Sequence, residues 1–138
     1  MSRSPIEQLF GAIDKRDVER ALALMAPDCR LLTVDGRRAE GEAGVRALLT
    51  DFAATVRSTT HRITAQWHQD DVWIAEVEVS YELRDWSRIS ALPRACVLRE
   101  GRDGVAELHV YGAHERQLSD HRTGDEGMRI GGRWIPPL

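Results

Sequence analysis

Hydrophobic residues in the first half of the chain recur at the spacing of helices. The first run follows the i, i+3, i+4, i+7 pattern: Ile6, Leu9, Phe10 and Ile13. Ser4 is placed to cap this helix, and Asp17 to cap a second short one that Pro27 ends. A third helix is predicted over residues 41–57 by Val45, Leu48, Leu49, Phe52 and Val56.

A short strand pair is predicted between the second and third helices. Residues 30–34 are mostly apolar, and the Asp35-Gly36 pair after them is a strong turn signal. Residues 37–40 can then return as a brief second strand.

From Thr60 onward the period changes to two, which indicates strands. His61, Ile63, Ala65 and Trp67 alternate with polar residues, and so do Trp73, Ala75, Val77, Val79, Tyr81 and Leu83. Two more strands are predicted over residues 89–99 and 105–115. Such alternation is typical of an antiparallel sheet with one covered face and one wetter face.

The tail differs from the rest of the chain. Residues 117–127 are polar and without period, whereas residues 128–130 and 133–135 flank Gly131-Gly132 as a hairpin would. Because an isolated hairpin is barely stable in water, we expect it to dock on the domain or on a partner subunit. The sequence therefore predicts one domain over residues 1–116 and a linker with a hairpin tail over residues 117–138.

Composition and charge exclude several classes of protein. The chain has 138 residues, 19 basic and 22 acidic, for a net charge of −3, so a nucleic-acid partner is not expected. No apolar run could span a membrane and no secretory signal is evident, so a cytoplasmic protein is expected. Cys29 and Cys96 form no metal-ligand pattern and are expected to be buried free thiols, and neither a metal nor a cofactor is predicted.

The order of helices before sheet predicts an α+β fold with the helices on one face. This order resembles the nuclear transport factor 2-like superfamily, in particular its SnoaL-like branch. The passages that carry the resemblance are MAPDCRLL (25–32), EGEAGV (40–45), LPRACVLREG (92–101) and VAELHVY (105–111). The resemblance implies a cystatin-like α+β roll, in which a cone-shaped, curved antiparallel sheet is covered by three N-terminal helices around an apolar pocket. It also implies a homodimer.

Three residues are candidate catalytic groups. His61 shares the parity of the covered face and can exchange protons near neutral pH, although a histidine at a strand end can also be purely structural. Asp35 resembles the position of a general base in some relatives, but Asp-Gly is also a common turn pair. Tyr81 can polarise a carbonyl, or be a core aromatic whose hydroxyl lies at the rim.

Five further residues are candidate ligand contacts: Trp67, Trp73, Asp85, Tyr111 and His109. The first two are expected in the apolar wall or core, and Asp85 shares the parity of Tyr81 but can lie in the following loop. For His109 the outer, dimer-forming face is the favoured alternative. Arg94 is expected to point outward.

The sequence thus predicts a small cofactor-free enzyme that uses general acid–base chemistry. The resemblance implies an apolar, polyketide- or terpenoid-like substrate and a cyclase, isomerase or dehydratase type of reaction. The alternative is a non-catalytic ligand-binding or dimeric assembly domain of the same fold, because the fold alone does not decide function.

Overall fold

The computed structural model describes residues 3–112, 128–130 and 133–138. Its helices are α1 (Pro5–Asp14), α2 (Val18–Ala23) and α3 (Gly41–Thr55). Its strands are β1 (Met25–Leu32), β2 (Arg38–Glu40), β3 (Val56–Gln69), β4 (Val72–Leu83), β5 (Arg88–Gly101), β6 (Gly104–Tyr111), β7 (Met128–Ile130) and β8 (Arg133–Ile135).

Six strands form one curved sheet in the order β2-β1-β6-β5-β4-β3, and β7 pairs with β8 in a separate two-stranded sheet. All neighbours in the large sheet are antiparallel except β1 and β6, which run parallel. The three helices pack on one face of this sheet and share its core. The predicted α+β architecture is confirmed.

The helix starts follow the capping residues that the sequence indicated. The Ser4 side chain accepts the backbone N–H of Glu7 at 3.1 Å, and the Asp17 side chain accepts that of Arg20 at 3.1 Å. α3 ends two residues earlier than predicted, because Val56 already has the extended backbone of β3. β1 starts earlier than predicted, at Met25, where it pairs with β6.

The inner face of β4 confirms the predicted alternation. Its buried side chains are Ala75, Val77, Val79, Tyr81 and Leu83. They pack with apolar residues of α1 and α3, including Phe10 and Phe52, and with the inner positions of β5 and β6. This face is therefore the floor of the domain core.

The alternation predicted for β3 is wrong beyond Ile63. The register with β4 shifts between Ile63 and Ala65, so one extra residue is inserted into β3. Such a bulge reverses the facing of every later side chain. Trp67 consequently pairs with Ile74 on the outer face, with 53% of its surface exposed.

The predicted tail hairpin is present in the described segments. β7 and β8 pair antiparallel from Met128 opposite Ile135 to Ile130 opposite Arg133. Residues 136–138 follow β8, and all three are buried. Leu138 belongs to the core of the main domain. The predicted linker over residues 117–127 lies outside the described residues.

Cys29 and Cys96 are buried free thiols, as expected. Among the helices that the structure describes, none is both long and apolar enough to cross a membrane.

Candidate functional site

His61 and Asp14 form a side-chain pair between β3 and α1. Nδ1 of His61 lies 2.6 Å from Oδ1 of Asp14, and the backbone N–H of His61 donates to Oδ2 at 2.8 Å. The carboxylate thus holds both the ring and the main chain of one residue. Because a carboxylate only accepts, Nδ1 carries the proton, and in the neutral ring Nε2 carries the lone pair.

Packing fixes the orientation of the imidazole. Its ring stacks on Phe10 with centroids 4.1 Å apart and planes 9° apart. The His61 side chain is only 2% exposed, and that of Asp14 is 21% exposed. A ring fixed between an aromatic face and a carboxylate has the arrangement of a positioned general base.

A cleft of about 420 Å³ opens beside this pair, between α1 and β3. Glu7 and Gln66 lie on its wall, joined by a 2.8 Å hydrogen bond, and Arg3 lies at its edge. The side chains that line the cleft carry positive and negative charges and include hydrogen-bond donors and acceptors. The cleft therefore suits a ligand with polar groups.

Sequence reasoning found His61 but missed its partner. Arg3, Glu7 and Asp14 follow helical spacing beside the apolar stripe of α1. This polar stripe was the available signal. What it contacts is set by the packing of α1 on a strand 47 residues away, which local spacing does not reveal.

Tyr81 lies inside the core, 2% exposed, and its hydroxyl donates a hydrogen bond to the carbonyl oxygen of Leu138. Its ring meets Phe52 edge-on at 6.3 Å. Thr59 is its cross-strand partner on β3, and His61 follows two residues later on the same face. Tyr81 and His61 are therefore diagonal neighbours on the inner face of the sheet.

Asp35 lies in the turn after β1. Its Oδ1 accepts a hydrogen bond from the Thr33 hydroxyl, and its Oδ2 lies 3.1 Å from Nε of Arg37. The side chain is 6% exposed. These contacts stabilise the turn, in agreement with the structural interpretation of the Asp-Gly pair. The role of Asp35 as a base stays a prediction.

Four predicted ligand contacts lie away from the interior. Trp67 faces outward because of the β3 bulge. Asp85 is exposed in the β4–β5 turn, where its carboxylate accepts the N–H and the hydroxyl of Ser87. His109 and Tyr111 stack on each other at 3.8 Å on the outer face of β6, since the inner positions of that strand are Leu108 and Val110.

Trp73 and Arg94 complete the account of the inner face. Trp73 packs against the core, stacks on His68 and donates its indole N–H to Glu100 at 2.7 Å. Arg94 was expected to point outward, yet it is 4% exposed and lies on the buried face of β5 opposite Val77. The expectation was wrong because it rested on the usual preference of arginine for solvent, whereas Arg94 has the parity of the buried Cys96 and Leu98.

The helices leave a small gap between them, and Leu138 lies buried in the core. Between the helices the free space near Phe52 measures about 10 Å³, the volume that a single water needs. Leu138, whose side chain is 0% exposed, takes part of the interior. Within the described ranges, no group of three or more potential metal ligands converges.

The two thiols are held in the protonated state. Burial raises the pKa of Cys96 to about 12, partly offset by the nearby Arg94 charge. Burial also raises the pKa of Cys29 above its usual value. Neither thiol is therefore a candidate nucleophile.

The comparisons with known proteins identify the class. The fold is that of the nuclear transport factor 2-like proteins. The SnoaL-like domain family matches residues 6–132, and the chain belongs to this family. No curated protein matches the sequence.

Three solved structures illustrate the range of similar folds. A protein with a ketosteroid isomerase-like fold from Catenulispora acidiphila, crystallised with trimethylamine, has a TM-score of 0.75 at 15% identity, covering 86% of this chain and 92% of its own. An LEH-like epoxide hydrolase from M. tuberculosis has a TM-score of 0.67 at 15% identity, covering 78% of each chain. A candidate SnoaL-like polyketide cyclase from Shewanella denitrificans has a TM-score of 0.69 at 11% identity, covering 78% of this chain and 86% of its own.

Proposed function

We propose that this protein is a small cofactor-free enzyme in which His61 acts as a general base on an apolar, polyketide- or terpenoid-like molecule. The reaction is of the cyclase, isomerase or dehydratase type. The observation that carries the proposal is the pair of His61 and Asp14. The 2.6 Å contact with Asp14 fixes the tautomer of His61, and stacking on Phe10 fixes the orientation of its ring. The cleft beside the pair gives room for a ligand.

Tyr81 is assigned the role of polarising group. Its hydroxyl already donates to a carbonyl oxygen, and its position is diagonal to His61 on one sheet face. A base and a hydrogen-bond donor on one face suit abstraction of a proton next to a carbonyl, because the donor stabilises the enolate oxygen as the proton leaves. Asp35, in the turn after β1, is assigned as the second candidate base or orienting group.

The proposal is tested with 2-acetonaphthalene, an apolar methyl ketone. In deuterated water a general base removes a methyl proton, the electron pair moves to the carbonyl oxygen, and a deuteron from solvent returns to carbon. Proton NMR measures the loss of the methyl signal. We expect the exchange rate with wild-type protein to exceed the rate in buffer alone. The part of the rate due to the protein should fall at least 100-fold in His61→Ala and about tenfold in Asp14→Asn.

The matched control is His68→Ala. His68 is an exposed histidine on the same strand, stacked on Trp73 outside the proposed machinery. The His68→Ala variant should have the same exchange rate as the wild-type protein. Exchange that is equally fast in His61→Ala, with the fold retained by circular dichroism, would remove His61 from the base role. A wild-type rate no greater than buffer contradicts catalysis.

The alternative function is a ligand-binding domain without chemistry. The hydrogen bond of Tyr81 favours it, since this hydroxyl already has a partner within the chain. Binding of 2-acetonaphthalene without any proton exchange would support this alternative over the enzyme.

We further propose that two copies associate through an outer-face row of side chains. The row crosses five strands as successive register partners: Trp67, Ile74, Val97, His109 and Leu32. Trp67 and Ile74 are 53% and 44% exposed, and the exposed Tyr111 lies beside His109. Four of the five side chains are apolar, and a mostly apolar row on a sheet face is a suitable dimer contact.

A further inference from the structure

Residues 136–138 lie against Tyr81, the residue to which the proposed function gives the role of polarising group. All three are buried, and Leu138 is 0% exposed among the core residues. The carbonyl of Pro137 accepts the backbone N–H of Val34 at 3.2 Å, and the carbonyl of Leu138 accepts the Tyr81 hydroxyl. Two adjacent residues thus join the segment that follows β1 to the C-terminal part of β4.

This bridge crosses the hollow of the sheet. β1 and β4 are separated by β6 and β5 in the strand order, yet one peptide unit connects their bonding groups. Consecutive Cα atoms are about 3.8 Å apart, so the curvature brings Val34 close to Tyr81. The segment therefore lies between the turn of Asp35 and the face that carries Tyr81 and His61.

The attachment of the segment is small. Among the described residues it consists of two hydrogen bonds and the burial of three residues, and the segment follows a two-stranded hairpin that forms its own sheet. A hairpin of this size adds little stability of its own. An apolar ligand with one acceptor can supply equivalent contacts.

The chemistry of the segment indicates the ligand class. The segment consists of two prolines and a leucine, all buried, and the main-chain oxygen of Leu138 accepts the Tyr81 hydroxyl. Beside Tyr81, the hydroxyl of Thr59 is buried without a hydrogen-bond partner within the described residues. Buried hydroxyls normally form hydrogen bonds, so the Thr59 hydroxyl can form one with a bound ligand.

We propose that residues 136–138 are an internal occupant of the ligand site. The ligand that displaces them is an apolar molecule with a carbonyl oxygen for Tyr81 and a second polar group for Thr59. The inference rests on the proposed function only in taking Tyr81 as a ligand-facing group, and displacement does not require that any reaction occurs.

The experiment follows the Val34 amide in the unmodified protein. Hydrogen exchange by NMR is compared with and without saturating 2-acetonaphthalene. We expect exchange of the Val34 amide to accelerate at least tenfold as its bond to Pro137 breaks. The adjacent amide of Thr33, which donates to the carbonyl of Arg37 at 3.0 Å, is the internal control and should not change. Unchanged Val34 exchange at saturation would overturn the proposal.

Two variants test the competition by affinity. Leu138→Asp removes the buried anchor, so it should lower the Kd for 2-acetonaphthalene at least fivefold in calorimetry. In that background, Tyr81→Phe should weaken the ketone but leave 2-ethylnaphthalene, which lacks the oxygen, unchanged. Equal Kd values in wild type and Leu138→Asp, or no binding to either, contradict the proposal. The proton-exchange assay of His61 is independent of these outcomes.

Discussion

Asp14 is an unfavourable residue for its position. It is the last residue of α1, where the helix dipole disfavours negative charge, and the last turn of that helix contains no basic residue. The His61 ring and backbone N–H offset this cost by binding both carboxylate oxygens. One side chain therefore both joins α1 to β3 and orients the imidazole.

The Cys96 thiol gives a residue-scale prediction about pH. Burial raises its pKa from 9.0 to about 12 in the folded protein, so between these values only the unfolded thiol ionises. Stability is unaffected below pH 9 and is lost as the pH rises toward 12. We expect this thiol to contribute a loss of about 2 kcal/mol between pH 8 and pH 10.5.

The measurement is urea unfolding of wild type and Cys96→Ala at both pH values. The alanine variant is less stable at pH 8, because it leaves a small cavity. The gap between the two proteins should shrink by about the same 2 kcal/mol at pH 10.5. A gap that stays constant would show that the thiol titrates alike in both states.

At the scale of the elements, local sequence patterns predicted which segments are helices and which are strands. They also predicted which face each side chain lies on where the strands are regular. The capping residues Ser4 and Asp17 and the inner face of β4 were read correctly. The two-residue period mispredicted which face a side chain lies on after a bulge. The position of a bulge depends on pairing with a neighbouring strand, which the period does not show. Trp67 was misplaced for this reason.

The same limit applies to the candidate site. The parity of His61 was available from the sequence, whereas its bond to Asp14 depends on how a helix packs on a distant strand. The position of Leu138 against Tyr81 spans 57 residues and leaves no periodic signal. Local pattern thus found single groups and missed the contacts that join them.

Gly104 gives an element-scale prediction at the start of β6. Its φ is +129°, and an added Cβ would lie 2.9 Å from the carbonyl oxygen of Leu24. Backbone atoms cannot move aside as a side chain can, so Gly104→Ala should cost on the order of 2 kcal/mol or more of unfolding free energy.

Gly44→Ala is the matched control for this change. In α3 an added Cβ would meet atoms of Ala39 at 3.9–4.0 Å, which is ordinary contact. Alanine is also the better helix former, so this variant should be as stable as wild type or gain up to about 1 kcal/mol. Thermal unfolding of both variants checks the contrast, and equal losses would contradict the steric argument.

The molecule as a whole separates two surfaces with different chemistry. The inner face of the sheet carries Tyr81 and His61 beneath the helices, whereas the outer-face row is mostly apolar and includes the exposed Trp67 and Ile74. Association through the outer face leaves the His61 cleft open, because that cleft lies between α1 and β3. Dimer formation and ligand binding are therefore expected to be separable by mutation.

Ile74→Lys tests the outer-face row. A charge at the centre of an apolar contact loses its hydration, and in a symmetric dimer it occurs twice. We expect the wild-type protein to sediment at twice the chain mass of 15.6 kDa and the variant to sediment as a monomer at micromolar concentration. Thr50→Lys places the same charge on the exposed surface of α3 and should leave the dimer intact. A wild-type monomer, or a dimeric Ile74→Lys, would exclude this face.

The parallel pairing of β1 with β6 has a consequence for biosynthesis. β1 leaves the ribosome early, but its neighbour in the sheet is the last of the six main strands to be made. Until then only the short β2 can satisfy its backbone groups. Closure of the sheet must wait for this long-range contact, which slows folding and exposes an apolar edge to chaperones during translation.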